Sequence, residues 1–360
     1  MIRATRGFDT ERYIEAQATH MRSRLAASNS NPVFMEFGGK PFGDHHAERV
    51  LPGYDADCKA RLLSALMPVG KIVMVVNARD ILLPDYGRTL QGRRRGDSQL
   101  RYDDETIRLI RRARELAFEI KDVVVSVTPK QPNDRDRRAL DDFRLALFRE
   151  GVTMQTHYEV DRYPDTSVLD NAQGIFGEND IVAEAGNHLI AFSPGGGSGK
   201  FGVLLSEMYH ALRRGDNPNF IKFETFPVFS ADPQHALNLA FEAATADLQN
   251  RIVSLCLDTG EATTTYDKDV ENYALLRRLF SIYGAGLQNP VDAMGNPTAM
   301  SVNKIMDGIT DDESIIEACR QEIRRRIRRY ETEVALGIEK PTTLRRAREV
   351  HDIFIDKYGK

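Results

Sequence analysis

Short runs of β-branched and aromatic residues alternate with amphipathic helical segments through the first two-thirds of the chain. This alternation limits the fold more than any other feature. PVFMEF (32–37), KIVMVV (71–76), DVVVSVT (122–128), VTMQTHYEV (152–160), HLIAFS (188–193) and NFIKFETF (219–226) read as buried strands. Helical period fills the gaps. In 103–120, Ile107, Ile110, Leu116 and Ile120 share a face behind an aspartate cap; in 133–151, Leu140, Phe143 and Leu147 precede a glycine stop at Gly151. Strands separated by helices of this length make βαβ units, so the expected fold is α/β, a mostly parallel sheet flanked by helices, with a helical carboxyl-terminal part. Ligands of such sheets bind at the carboxyl ends of strands, where the chain turns into the next helix. From about residue 266 the pattern becomes helical, at 270–286, 311–337 and 342–358. The simplest partition is an α/β domain over 1–265 and a helical region over 266–360.

The 360 residues suffice for a large core, and 49 basic against 53 acidic residues leave a net charge of −4. No global field draws such a chain to nucleic acid or to an anionic membrane. Two basic runs, GRRRG (92–96) and RRRIRR (324–329), are surrounded by acidic residues and read as solvated faces with i,i+4 pairs. Three widely spaced cysteines, Cys58, Cys256 and Cys319, argue for a reducing compartment without a disulfide framework. The amino-terminal stretch MIRATRGFDTERYIEAQ is too polar for a signal peptide, and no apolar run approaches the roughly 18 residues of a membrane span. The expectation is a cytoplasmic protein with a small-molecule substrate and neither nucleic-acid nor membrane partners, a homo-oligomer being left open.

One loop carries the strongest functional signal. HLIAFSPGGGSGK (188–200) runs from a strand through glycines into the helical KFGVLLSEMYHALRRG. It falls short of the P-loop pattern G-x-x-x-x-G-K-[ST], because Pro194 stands at the first glycine and Phe201 at the final hydroxyl. Yet Gly195, Gly196, Gly197, Ser198 and Gly199 can turn successive backbone N–H groups onto an anion. The following helix adds its partial positive charge, and Lys200 can reach a phosphate oxygen from an expected solvent-facing helix start. Without a hydroxyl at 201 the loop lacks the usual Mg²⁺-holding group, so carboxylates would have to hold the metal. Glu224, at the end of KFETFPVF (222–229), is the leading candidate, and Asp247 the second.

The segment 35–59 gathers Glu36, Lys40, Asp44, His45, His46 and Arg49 just after a strand, in a setting suited to substrate binding or acid–base work. It lacks the H-E-x-x-H spacing of a helical zinc site. In 231–250, Asn238, Glu242, Thr245 and Gln249 form a polar stripe along one helical face that reads as solvated.

The blocks EFGGK, DxHAxRVLPGxxxDxK, SPGGGSGK, KFETFP, NLAFEAATADL and EACRQEIRRR together resemble a bacterial family known as domain of unknown function 1846. The likeness runs from RGFDTERYIEAQ to the helix near 330. The family's loop usually reads A-P-G-P-G-S-G-K; here Ser193 and Gly196 depart from it and the Gly-Ser-Gly-Lys core remains. His46 falls at the family's histidine and His45 where tyrosine is more usual, which makes His46 the better functional candidate. Family chains are typically longer, so part of their carboxyl-terminal region is expected to be shortened or missing here. The resemblance implies an α/β fold and a nucleotide-like site, without a reaction.

The reading that follows is a nucleotide-dependent, P-loop-like enzyme, a transferase or ligase. It would move a phosphoryl or nucleotidyl group, or ligate a small polar metabolite at the cost of ATP, with Mg²⁺. Residues 195–200 would hold the phosphates, and Lys200, His46 and Glu224 would be catalytic. Glu224 and Asp247 would hold the metal, while Glu36, Lys40, Asp44 and Arg49 would bind the second substrate. One rival uses the loop for a phosphorylated substrate without triphosphate chemistry. Another is a nucleotide-sensing protein with no turnover.

Overall fold

A computed structural model describes residues 7–29, 31–66, 70–82, 100–249, 251–256, 262–284 and 286–359. The basic run 92–96 lies outside them. Seven parallel strands form the central sheet: β1 (Val33–Phe37), β2 (Lys71–Asn77), β3 (Ile120–Thr128), β4 (Thr153–Tyr158), β5 (Leu189–Phe192), β6 (Asn219–Phe223) and β9 (Ser301–Val302). Their order is β4-β3-β2-β5-β1-β6-β9. Each of the six strands expected from the sequence is present. The two-residue β9 was not anticipated, nor was the antiparallel hairpin of β7 (Ile252–Cys256) and β8 (Ala262–Tyr266).

Alternation along the strands assigns each residue to one face. Ile72, Met74 and Val76 of β2 pack in one core with Leu109 and Ile110 of α5 (Tyr102–Glu115) and Leu140, Phe143 and Leu147 of α6 (Asp134–Arg149). Helices α1 (Thr10–Ala26) and α3 (Cys58–Leu66) join that layer through Met21, Leu62 and Leu63. Val73 and Val75 point the other way, toward Leu204, Leu205 and Met208 of α8 (Lys200–Arg214) and Leu275, Leu276 and Leu279 of α10 (Asp267–Tyr283). Apolar residues on both faces explain why the strand sequences read as continuous hydrophobic runs. Three short helices, α2 (His45–Val50), α4 (Ala78–Leu82) and α7 (Ala172–Phe176), follow strands or line loops. A third core joins α2 and α9 (Ala236–Ala244) to α11 (Asp312–Ala335) and α12 (Pro341–Tyr358), through Ala47, Val50, Leu237, Ala240, Ile323, Val350 and Phe354. Residues beyond 265 thus supply a sheet strand, a covering helix and a helical pair.

Two boundaries differ from the sequence reading. The helix expected over 103–120 ends at Glu115; Ala117 takes a left-handed conformation, φ +61°, and Ile120 opens β3 instead of lying on the helix face. Its amino-terminal cap is Arg101, whose side chain makes no capping bond, so the aspartates act from the first turn. The helical segment expected over 231–250 forms α9 only to Ala244, and its polar stripe is solvated only in part: Gln249 is exposed and Thr245 half-buried, while Asn238 and Glu242 are buried. Asn238 is buried and brackets the preceding turn, accepting from the Val228 N–H at 2.7 Å and donating to the Val228 and Asp232 carbonyls. Glu242 is buried against Arg346 of α12. Tertiary packing from the carboxyl-terminal helices, invisible to local periodicity, covers that face. No helix among the described residues is long and apolar enough to cross a membrane.

Candidate functional site

The alternation that builds the core also delivers charge to one place. Phe34 of β1 and Phe220 of β6 face α8 and α10, so Glu36, Lys222 and Glu224 share that side, the strands pairing Glu36 with Lys222 in register. Lys200 opens α8 and Asp269 lies in the first turn of α10. The carboxyl ends of β5, β1 and β6 therefore meet the amino ends of two helices, as expected for a ligand site in a parallel sheet.

The loop from Ser193 to Lys200 is a built element rather than a free turn. Ser193 Oγ donates to the Gly195 carbonyl at 2.9 Å, Asn77 Nδ2 to Gly197 O at 3.0 Å, and Ser126 Oγ to Ser198 O at 2.6 Å. Gly199 caps α8 with φ +82°, and a Cβ there would lie 2.6 Å from Ser126 Oγ, so the position demands glycine twice over. Those bonds use the loop's carbonyls. Among the described residues, no acceptor engages the backbone N–H groups of Gly195 through Lys200. Ser198 is buried and its Oγ has no partner. Lys200 is not at a solvent-facing start: its side chain is 7% exposed and turns back across the loop, donating to Ser193 Oγ at 3.1 Å, with Glu36 Oε1 at 3.6 Å. The glycines free the chain to pack closely, which buries the lysine that follows.

Beside this pair lies a second buried set that the sequence reading missed. Lys222 Nζ stands 2.6 Å from Asp269 Oδ1 and 2.9 Å from Glu224 Oε1, with all three side chains buried or nearly so. Burial pulls the Lys222 ammonium down, but Asp269, Glu224 and Glu36 outweigh it and hold the group well above the ordinary lysine range. Burial raises Glu224; Lys222 opposes this, and Glu36 and Asp269 reinforce it. Asp269 is likewise raised, chiefly by burial. The sequence signal was Lys222 and Glu224 two apart in a strand, hence on one face. Glu36 completes the cluster, and its Oε2 is buried without a partner.

Of the other expected site residues, Gly195, Gly196, Gly197, Ser198, Gly199, Lys200, Glu36 and Glu224 come together at this edge. The turn after β1 is tight because a Cβ at Gly38 would collide with the Glu224 carboxylate. Lys40 sits half-buried just beyond it. Asp44 is buried and caps α2, accepting from Ala47 N, while Lys59 Nζ pairs with it at 2.8 Å and also donates to the Gly38 carbonyl. His46 and Arg49 face another way. Both bind Glu322 of α11, which also receives Arg325 at 2.7 Å and Arg326 at 2.8 Å. Burial pushes the His46 imidazole below its usual range against the pull of Glu322, and its Nε2 is buried without a partner beside Phe226. His45 is exposed and pairs with Glu48 at 3.0 Å. Asp247 accepts from Tyr330 of α11 at 3.5 Å. The basic run 324–329 forms i,i+3 and i,i+4 pairs, but around a buried carboxylate rather than a solvated one.

Residues 6–353 match the family described as "Domain of unknown function DUF1846, N-terminal". The chain belongs to this family. It is similar to proteins named "UPF0371 protein" from Streptococcus pneumoniae, in strains CGSP14 and Hungary19A-6, each 37% identical over 338 residues. Those alignments cover 92% of this chain and 64% of each relative, so the chain spans just under two-thirds of their length. Neither the family description nor the relatives' name specifies an activity, which leaves the chemistry to be argued from geometry.

Proposed function

We propose that residues 193–200 bind phosphate and that the protein is an enzyme acting on a small phosphorylated metabolite, without triphosphate chemistry. One observation carries this: the loop is pinned through its carbonyls while its N–H groups, from Gly195 to Lys200, point to no acceptor among the described residues. Aligned amides at a helix amino terminus, with a lysine against the loop, are the chemistry of an anion site. Glu36 and Glu224, each beside a lysine, supply acid–base groups at the same edge. Three cysteines without a disulfide suit a reducing, cytoplasmic setting.

A second reading, phosphoryl or nucleotidyl transfer or ligation driven by ATP, is favoured by the strand, Gly-Ser-Gly-Lys loop and helix in that order. It requires Mg²⁺, and the residues present do not fit that ion. Lys222 already engages the Glu224 carboxylate that would hold it, and Asp247 is directed to Tyr330. Among the described residues, no group of three His, Cys, Asp or Glu side chains is arranged to hold a metal; Mg²⁺, which needs only one or two carboxylates beside substrate phosphates and water, would have to draw a carboxylate away from its lysine or tyrosine partner.

Calorimetric titration with inorganic phosphate and with ATP, each in EDTA and in Mg²⁺, tests both readings. Inorganic phosphate should bind in EDTA, and Lys200→Ala should weaken it roughly ten- to a hundredfold, the loss of a charge-assisted hydrogen bond. Equal affinity in wild type and variant would overturn the phosphate reading. ATP turnover that requires Mg²⁺ would move the assignment to the second.

A further inference from the structure

We infer that the ligand is a small phosphate ester with a free hydroxyl close to the phosphate, a polyol or sugar phosphate, whose hydroxyl donates to Glu36 Oε2. The inference rests on the phosphate-binding reading of the loop and adds the rest of the molecule. Its second observation is independent of the helix amino terminus. Glu36 Oε2 and Ser198 Oγ are both buried, both polar and both without a partner among the described residues; Glu36 stands beside Lys200, and Ser198 lies two residues before it. A buried carboxylate oxygen with no donor is costly, and a ligand that supplies one relieves that cost.

Charge selects the donor. Glu36 already has the Lys200 ammonium at 3.6 Å, and its field reaches Lys222, so a third cation would meet two like charges. A neutral hydroxyl meets none. Distance limits the ligand's size. Lys200 belongs to the loop and its Nζ lies 3.6 Å from Glu36 Oε1, so a phosphate and a hydroxyl that meet the same ammonium group are only a few bonds apart. Ser198 Oγ is then a further donor for the phosphate.

Calorimetry with methyl phosphate, glycerol 3-phosphate and ribose 5-phosphate decides it. In wild type a hydroxylated ester should bind at least roughly tenfold more tightly than methyl phosphate, the effect of one hydrogen bond to a charged group. In Glu36→Ala every ester will change affinity, because Lys200 loses its counter-ion. The ratio between hydroxylated and methyl esters cancels that effect and should fall to near one. Methyl phosphate binding wild type as tightly as both hydroxylated esters would overturn the inference without needing any variant. A ratio unchanged in folded Glu36→Ala, or in Glu36→Leu where the alanine variant fails to fold, would also overturn it. If the esters bind but Lys200→Ala leaves their affinity intact, the loop reading itself fails, and the inference with it.

Discussion

The Gly-rich loop and the segment carrying His46 and Arg49 both carry functional signals in the sequence, the loop the stronger one, and they hold different amounts of unused hydrogen-bonding capacity. At the loop the carbonyls of Gly195, Gly197 and Ser198 are tied down, and among the described residues the N–H groups have no acceptor and the Ser198 hydroxyl has no partner. At α2 the charges are engaged: Arg49 and His46 share Glu322 with Arg325 and Arg326, and Asp44 is closed against Lys59. Density of charged residues in a sequence does not distinguish the two. What separates a binding site from a structural ion cluster is whether its polar groups already have partners inside the fold.

The comparison breaks most easily at Glu322. If that cluster is structural, Glu322→Ala leaves Arg49, Arg325, Arg326 and His46 around an empty position, and removing one member of a buried pair costs about 3–5 kcal/mol. The side chain is only 1% exposed, so solvent screening offers little relief. Urea denaturation should show that loss, while inorganic phosphate affinity of the folded fraction stays at the wild-type level. A phosphate affinity that falls with normal stability would put α2 in the binding site.

Asp44 gives the next largest effect and a pH signature. Burial works to raise its carboxyl, but the Lys59 ammonium overcomes this and lowers it to about 2. The folded value lies below the unfolded one, so the contribution is present above pH of about 4 and is lost as pH falls toward 2, amounting to about 2 kcal/mol. Urea midpoints measured for wild type and Asp44→Asn between pH 7 and pH 2 should converge across that window. A constant gap down to the lowest pH would mean that the Asp44 charge contributes nothing.

How legible all this was follows from the same division. Strands β1, β2, β3, β5 and β6 were readable because burial on both faces makes them largely apolar runs, whereas β4, at the sheet edge, is mostly half-buried and polar; the strand–glycine–helix order located the loop. Strand β9 has two residues, and its pairing with β6 exists only in three dimensions. Lys222 and Asp269 were missed because they are 47 residues apart and meet only when α10 folds over β6. Glu322 was hidden for a different reason. Its i+3 and i+4 arginines were visible, but such pairs are usually solvated, and only α2 packing on α11 buries this one. Lys200 was located correctly and its exposure misjudged, since the glycines that promise an open turn also allow the loop to close over the side chain.

A smaller effect sharpens the loop side. Gly199→Ala must place a side chain at φ +82°, which costs about 1–2 kcal/mol, and its Cβ would press on Ser126 Oγ. Gly197→Ala has a similar φ of +76°, but its Cβ would meet only Leu248, at 4.0 Å. Both should lose comparable backbone stability in thermal denaturation. Phosphate affinity should suffer more in Gly199→Ala, because displacing Ser126 releases the Ser198 carbonyl that holds the loop. Equal affinities would show that this anchor does not shape the site.

The smallest effect belongs to His45. It stands one residue before His46, at the amino terminus of the same short helix, and the family resemblance already makes it the weaker candidate of the two. Its side chain is 57% exposed, and its ion pair to Glu48, at 3.0 Å, is also solvent-exposed. Exposed pairs of this kind contribute about 0–1 kcal/mol, and salt screens them. His46, by contrast, is enclosed by Phe226, Phe241 and Glu322. His45→Ala should therefore change stability by less than about 0.5 kcal/mol, with phosphate affinity unaltered. His46→Ala should lose clearly more stability through its ring packing and its hydrogen bond to Glu322. Thermal denaturation of both variants at low and high salt separates them. A His45→Ala loss as large as that of His46→Ala, and insensitive to salt, would show that exposure is the wrong criterion for ranking this pair.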